Sequence, residues 1–315
     1  MVNVGWVGNF RRAGKNYGTY LRLCKQNNWT QFVAGGVDSG VFVEHEDMPG
    51  FYDACDVLLV TSVWENHPLI VYEALSCGVP VVMGKYVGDC FRNNIEGVVY
   101  FDDVGNDEYI TKAVNLALQY KDELSKAGVE CMRREWMWEH VKPQYTQMFK
   151  SLSTKNSPRV VFLTNEYDWS WGWMAKEIKK HAYKKMSVVS LSDPIEEITK
   201  QFKKADIILN HPWHLTKDLE IPPEKHVLCV NGPAFLNPAY SEAWVKALES
   251  CKAITSASLN VLDLLRFTEK PLFYATRGVD VTLFKPSFVR ENKEYLSKQD
   301  EDTLKRLSEL GVCVH

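Results

Sequence analysis

The sequence predicts an α/β chain of two doubly wound domains, and three observations carry that expectation. Short apolar runs bounded by turn residues alternate with longer stretches of helical period, the pattern of βαβ units on a parallel sheet. The alternation halts at a polar, proline-containing stretch, "STKNSPR" (153–159), and then resumes. The chain has 315 residues, 45% hydrophobic and 24% charged, which is room for two soluble domains of ordinary size.

Taken in order, "VNVGWVG" reads as a strand, "NYGTYLRLCKQ" as a helix and "TQFVAGG" as a strand. "DVLLVTS", "LIVYEALSC" and "VPVVMG" repeat the strand–helix–strand unit, and "ITKAVNLALQY" and "WEHVKPQYTQMFKSL" close a first domain over 1–152. The second series, 157–287, runs "RVVFLT", a helical "WMAKEIKKHA", "MSVVSLS", a helical "IEEITKQFKKA", "DIILNH", "HVLCVN", a helical "SEAWVKALESC", "AITSAS" and "LNVLDLLRF". Residues 288–315 read as a charged helical tail. In such sheets ligands bind beyond the carboxyl ends of the strands. The loops after "VNVGWVG", "DVLLVTS", "VVFLT" and "DIILN" are therefore where function is expected.

Composition excludes several classes. Net charge is −3; residues 1–150 hold 14 Lys and Arg against 19 Asp and Glu, and the remainder 23 against 21. Neither half is basic enough for nucleic acid. The eight cysteines, at 24, 55, 77, 90, 131, 229, 251 and 313, form no C-x-x-C pair and read as reduced, buried thiols. The start, "MVNVGWVGNF", lacks a signal-peptide pattern, and no apolar run reaches membrane-spanning length, so a cytoplasmic location is expected.

One stretch stands out: "VWENHPLIVYEALSCGVPVV", Val63 to Val82, a largely apolar run with Glu65 and Glu73 inside it. Pro68 suits the first turn of a helix, where its missing N–H has no partner to lose. Gly78 and Pro80 suit the helix end. Glu65 then lies in the loop after strand 57–62, and Glu73 on one helix stripe with Leu69, Ile70 and Cys77. The helix start at Asn66, His67 and Pro68 points N–H groups at the same crevice, a natural anion site. A diphosphate there, with carboxylates nearby to accept from hydroxyls, describes a sugar nucleotide. For an isolated pair of glutamates, solvated surface residues would be the commoner explanation.

The longer run "FYDACDVLLVTSVWENHPLIVYEALSCGVPVV" resembles the retaining glycosyltransferases of family four, which have the GT-B fold of two facing Rossmann-like domains. Their second domain carries a Glu, seven residues, a second Glu, then Ala and a C-G-x-P-V-V run; Glu65, Glu73, Ala74, Cys77, Gly78, Pro80, Val81 and Val82 match it. The resemblance implies that Glu73 holds the ribose, that Glu65 faces the transferred sugar, and that the helix start between them helps hold the diphosphate. "GWVGNFRRAGKN" resembles the family's phosphate loop. Lys15 matches its Lys, Asn9 stands at its Arg, and Arg11 or Arg12 are candidates to replace that Arg. "GKYVGDCFRNNIEG" resembles the glycine loop, with Gly88 placed for close backbone approach.

The second half resembles the family's first domain. "ADIILNHPWH" ends a strand in His211, which the resemblance places against the transferred sugar. "RGVDVTLFKP" resembles the exit from that domain, with Asp280 and Phe284 structural. Trp169, Trp171 and Trp173 occupy the acceptor loop, where stacking on sugar rings and core packing both stay open.

The domain order is the reverse of the family's, so the chain is either a circular permutation or a piece spanning two enzymes. The implied activity is retaining, metal-independent transfer of a sugar from a UDP- or GDP-sugar to a glycan, lipid-linked or protein acceptor, without a further cofactor. Peripheral membrane contact is compatible with such acceptors, and a partner chain is implied if the chain is a fragment. The alternative is a non-catalytic or partner-dependent scaffold that binds sugar nucleotide or glycan.

Overall fold

The computed structural model describes residues 1–35, 41–65, 67–88, 95–167, 170–216, 218–230 and 238–286. The expected tail at 288–315, Asn66, Trp169 and most of the loop after Gly88 lie outside them. The chain divides into two units: Met1–Met137 with Val279–His315, and Trp138–Gly278.

In the first unit the buried apolar runs become β1 (Asn3–Val7), β2 (Thr30–Ala34), β3 (Val57–Val60), β4 (Val81–Gly84) and β5 (Val98–Phe101). All pair in parallel, in the order β2-β1-β3-β4-β5. Helices α1 (Tyr17–Asn27), α2 (Met48–Asp53), α3 (Leu69–Ser76), α4 (Lys85–Gly88), α5 (Asp107–Gln119) and α6 (Lys121–Cys131) connect and cover them. Both faces are buried, as a parallel sheet requires. Along β3 the side chains alternate: Val57 and Leu59 pack with Trp6 and Tyr20, while Leu58 and Val60 pack with Tyr52, Tyr72 and Leu75. Asn106 caps α5 by accepting from the backbone N–H groups of Glu108 and Tyr109 (3.1 and 3.2 Å), with Asp107 and Glu108 complementing the dipole in the first turn. Gly97 has φ +85°, and a Cβ there would lie 2.7 Å from the Gly128 Cα, so two glycines let this loop rest on α6.

The first unit is completed from beyond the second. Val279 donates its N–H to the Trp136 carbonyl (2.9 Å), and Phe284, 2% exposed, enters the core beside Tyr52. Asp280 Oδ1 accepts from the Thr282 N–H and hydroxyl (3.0 and 2.6 Å) and fixes the turn between them. Both residues have the structural character expected of them.

The second unit opens with α7 (Trp138–Ser151), which sequence adjacency had joined to the first domain. Its Val141, Met148 and Phe149 pack with Phe162, and its Tyr145 hydroxyl donates to the Thr276 carbonyl (2.9 Å). The rest comprises β6 (Val160–Thr164), α8 (Ser170–Glu177), β7 (Met186–Ser190), α9 (Ile195–Lys204), β8 (Ile207–Asn210), β9 (His226–Cys229), α10 (Ser241–Ser250), β10 (Ala253–Ser256), α11 (Leu259–Leu264) and β11 (Leu272–Tyr274). The sheet order is β11-β10-β9-β8-β6-β7, again all parallel. Each unit is thus Rossmann-like. No helix among the described residues is long and apolar enough to cross a membrane.

Beneath β8 and β9 lies a buried polar chain. Asn210 donates through Nδ2 to Thr216 Oγ1 (2.9 Å) and to His226 Nε2 (3.1 Å), and His226 Nδ1 meets Ser250 Oγ at 3.2 Å. Burial pushes the His226 imidazole down to about 4, so it is held neutral. Between that value and the ordinary 6.5, the unfolded chain binds more protons at this ring than the folded chain does. Stability from this source is complete above about pH 6.5 and is lost as pH falls toward 4. Urea unfolding at pH 4.5 against pH 7 is expected to show a loss of about 2–3 kcal/mol from His226. His226→Gln should show a smaller loss over the same interval; an unchanged loss would place the acid sensitivity elsewhere.

Candidate functional site

An open parallel sheet binds ligands where its strand order reverses, because there two neighbouring loops diverge and leave a crevice. In the order β2-β1-β3-β4-β5 that point lies between β1 and β3. The loop after β1 carries Arg11, Arg12 and Lys15, and the loop after β3 carries Glu65 and leads into α3. Of the first-unit residues singled out from the sequence, Arg11, Arg12, Lys15 and Glu65 lie on the two loops that leave this point.

The two loops are stitched together. Trp6 Nε1 donates to Thr61 Oγ1 (3.0 Å), the Thr61 hydroxyl donates to the Lys15 carbonyl (3.0 Å), and Val63 donates its N–H to the Gly14 carbonyl (2.9 Å). Across this seam the Lys15 ammonium contacts Glu65 Oε1 at 2.5 Å, and the Ser62 hydroxyl donates to the same oxygen at 2.6 Å. The two side chains are 22% and 13% exposed, which makes this a sheltered pair rather than a surface one. Asn9 accepts from the Arg11 N–H through its side chain (2.9 Å) and from the Arg12 N–H through its carbonyl (3.0 Å). It shapes the loop, and Arg11 and Arg12 stand exposed beyond it.

Glu73 is 7% exposed, so it is no solvated helix residue. The Tyr52 hydroxyl donates to its Oε2 at 2.6 Å, and His45 Nδ1 lies 3.9 Å from Oε1. Burial, then the charge of Glu73, pushes the Tyr52 phenol well above its ordinary 10, so it remains a donor. Pro68 caps α3 from the position just before it, one residue short of the first turn expected for it. His67 is 2% exposed, with its Nε2 2.7 Å from the Tyr72 hydroxyl, so its ring is packed against the helix. Gly88 is buried at the end of α4.

The second unit has its own reversal between β6 and β8. His211 follows β8 and donates its N–H to the Leu163 carbonyl of β6 (3.2 Å). Its half-buried ring lies against Trp171, centroids 3.5 Å apart, and the Arg277 guanidinium stands 4.6 Å over the same indole. Burial, then the charges of Arg277 and His214, hold the His211 imidazole well below 6.5. Trp171 packs against the core, and Trp173 lies under the Lys176 ammonium at 4.5 Å. Tyr52, His45, Ser62 and Arg277 had no role in the sequence reading. Tyr52 looks like an ordinary core aromatic until the fold sets it beside Glu73.

Residues 23–130 match the family described as "Glycosyl transferases group 1", which spans β2 to β5 and both glutamates. No curated protein matches the chain. Among solved structures, the C-terminal domain of the glycosyl transferase group 1 family protein LpcC from Francisella tularensis is 15% identical. The alignment covers 42% of this chain and 85% of that one, with a TM-score of 0.35. A LacI transcriptional regulator from Lactobacillus brevis is 10% identical over 89% of this chain and 98% of its own, with a TM-score of 0.27. At such TM-scores neither likeness bears on function.

Tyr52→Phe leaves a buried carboxylate without its phenol donor. Urea unfolding should show a loss of about 1–3 kcal/mol. Unchanged stability would mean that Glu73 is held by other groups.

Proposed function

We propose that the chain is a retaining glycosyltransferase of GT-B type that moves a sugar from a UDP- or GDP-sugar to a glycan, lipid-linked or protein acceptor. The observation that carries this reading is the sheltered Lys15–Glu65–Ser62 cluster at the β1/β3 reversal, whose Glu65 and Ser62, like the buried Glu73, lie within the segment that matches group 1 glycosyltransferases.

In this reading the ammonium of Lys15 and the start of α3 meet the donor diphosphate. Fixed positive charge there opposes the negative charge that grows on the leaving phosphate as the glycosidic bond breaks. Arg11 and Arg12 reach the same phosphates from the loop tip. Glu65 accepts from hydroxyls of the transferred sugar, and Glu73 accepts from the ribose. In the second unit, His211 is the residue that the family resemblance assigns to the transferred sugar. Retention follows if the leaving phosphate stays on the face it left and takes the acceptor's proton as the new bond forms. The alternative, two displacements through a carboxylate, needs Glu65 as nucleophile. A lysine and helix N–H groups supply the charge that a divalent ion supplies elsewhere, so no metal is required.

The return of Val279–Phe284 into the first unit supports one permuted enzyme over a piece of two. In the family, that exit segment leads from the first domain into the second, and here it packs on the donor-type unit. A second reading, a non-catalytic or partner-dependent scaffold that binds sugar nucleotide or glycan, is favoured by Asn9. This residue spends its polar groups on the loop where a phosphate-binding Arg is expected.

Glu73→Ala should weaken UDP or GDP binding by about 1–3 kcal/mol in calorimetric titration, since a charge-assisted acceptor for the ribose is lost. Unchanged affinity with an intact fold would remove the ribose role. Transfer from a panel of sugar nucleotides should survive EDTA. Nucleotide binding without transfer or donor hydrolysis would favour the scaffold, and activity lost in EDTA but restored by magnesium or manganese would overturn metal independence.

A further inference from the structure

We propose that Arg277 and Trp171 are positioning residues that hold His211 uncharged, with its proton on Nε2, so that it meets its ligand as a hydrogen-bond donor. The reading of His211 as the group that faces the sugar supplies the ligand; the state of the ring itself is a property of the second unit alone.

The geometry comes from four places. Trp171 of α8 covers the ring at 3.5 Å between centroids, inclined by 29°. Phe162 of β6 lies 6.4 Å away, nearly parallel at 14°. The Arg277 guanidinium follows β11, is 6% exposed, and stands over the Trp171 indole at 4.6 Å. His214, in the turn after β8, is the other titratable group that acts on the ring. An imidazole set among aromatic faces and close to a permanent cation is a poor place for a second positive charge. The direction of its titration agrees: burial, Arg277 and His214, in that order, all disfavour the imidazolium.

The tautomer follows from the ring nitrogens. Nδ1 is shut off from solvent and has no hydrogen-bond partner among the described residues. A proton there would be an unmet buried donor, which costs more than an unmet lone pair beside a guanidinium. The proton therefore sits on Nε2. A ring that stays neutral does not shuttle protons near pH 7; it orients a hydroxyl. That leaves the acceptor's proton to the leaving phosphate, in keeping with retention on one face.

The test reads the ring without substrate. Long-range proton–nitrogen correlation spectra of the 15N-labelled full chain report protonation state and tautomer together, and His211 is assigned by the signal lost in His211→Gln. The wild type should show a bare Nδ1 and a protonated Nε2 at every pH from 8 to 5. Arg277→Met removes the charge and keeps the bulk; it should raise the proton affinity of His211 about tenfold, so that the ring begins to titrate within that range. Arg277→Lys, which keeps the charge, should stay closer to the wild type. A wild-type ring that titrates near pH 6.5, a proton on Nδ1, or an Arg277→Met ring that behaves as the wild type does would each overturn the proposal. If Arg277→Met does not fold, the wild-type tautomer and the Arg277→Lys titration still decide it. Because no sugar nucleotide is used, a failed transfer assay leaves this result standing, and the converse holds as well.

Discussion

A carboxylate taken out of water must be given donors, and much of the first unit is arranged around two of them. Glu65 receives the ammonium of Lys15 and the hydroxyl of Ser62. Glu73 receives the Tyr52 phenol, with His45 nearby. These donors come from the loop after β1, the end of β3, the segment before α2, and α2 itself. A buried charge left unmatched costs several kcal/mol, so each pair constrains where its elements lie. The seam from Trp6 through Thr61 to the Lys15 carbonyl does for the backbone what the Lys15–Glu65 pair does for the side chains. The same arrangement sets the Lys15–Glu65 pair on the two loops that diverge at the strand-order reversal.

Both sheets have the same plan, and it explains the placement of polar residues better than any single motif. In each, the first and third strands of the unit are neighbours, and the loops that leave them diverge. The first unit fills its reversal with charge: Lys15, Glu65, and the exposed Arg11 and Arg12. The second fills its reversal with aromatic faces, a neutral imidazole and a guanidinium over an indole.

The strands were legible because buried parallel strands are short, apolar and β-branched, and "DVLLV", "VPVV" and "DIILN" are all three. Other elements were not. β5 is four residues of a common pattern, and α6 follows α5 with no breaker between them, at Tyr120. The membership of α7 was misread because local sequence says that "WEHVKPQYTQMFKSL" is a helix but not which core its apolar stripe enters. Phe162 and Thr276, distant in sequence, decide that. At the site, Glu65 and Glu73 stood out because carboxylates in an apolar run demand a reason. The partners that meet the demand, Tyr52 and His45, have no such signal, since an aromatic on a helix or a histidine in a turn is ordinary. His67 was expected for its backbone at the helix start, whereas the structure gives its ring a packed place beside Tyr72.

The segment 279–284 returns the chain to the first unit and ties it to the site residues there. Phe284 is buried to 2% in the core of the unit that precedes it in sequence. Phe284 lies beside Tyr52, whose hydroxyl holds Glu73, and the His45 ring meets the Phe284 edge at 5.3 Å between centroids. The returning chain thus packs directly behind the residues that hold the second glutamate. Dispersion from one buried aromatic is worth a few kcal/mol, comparable to the cost of leaving Glu73 poorly matched. The chain that returns from the second unit thus helps to fix the buried carboxylate of the first.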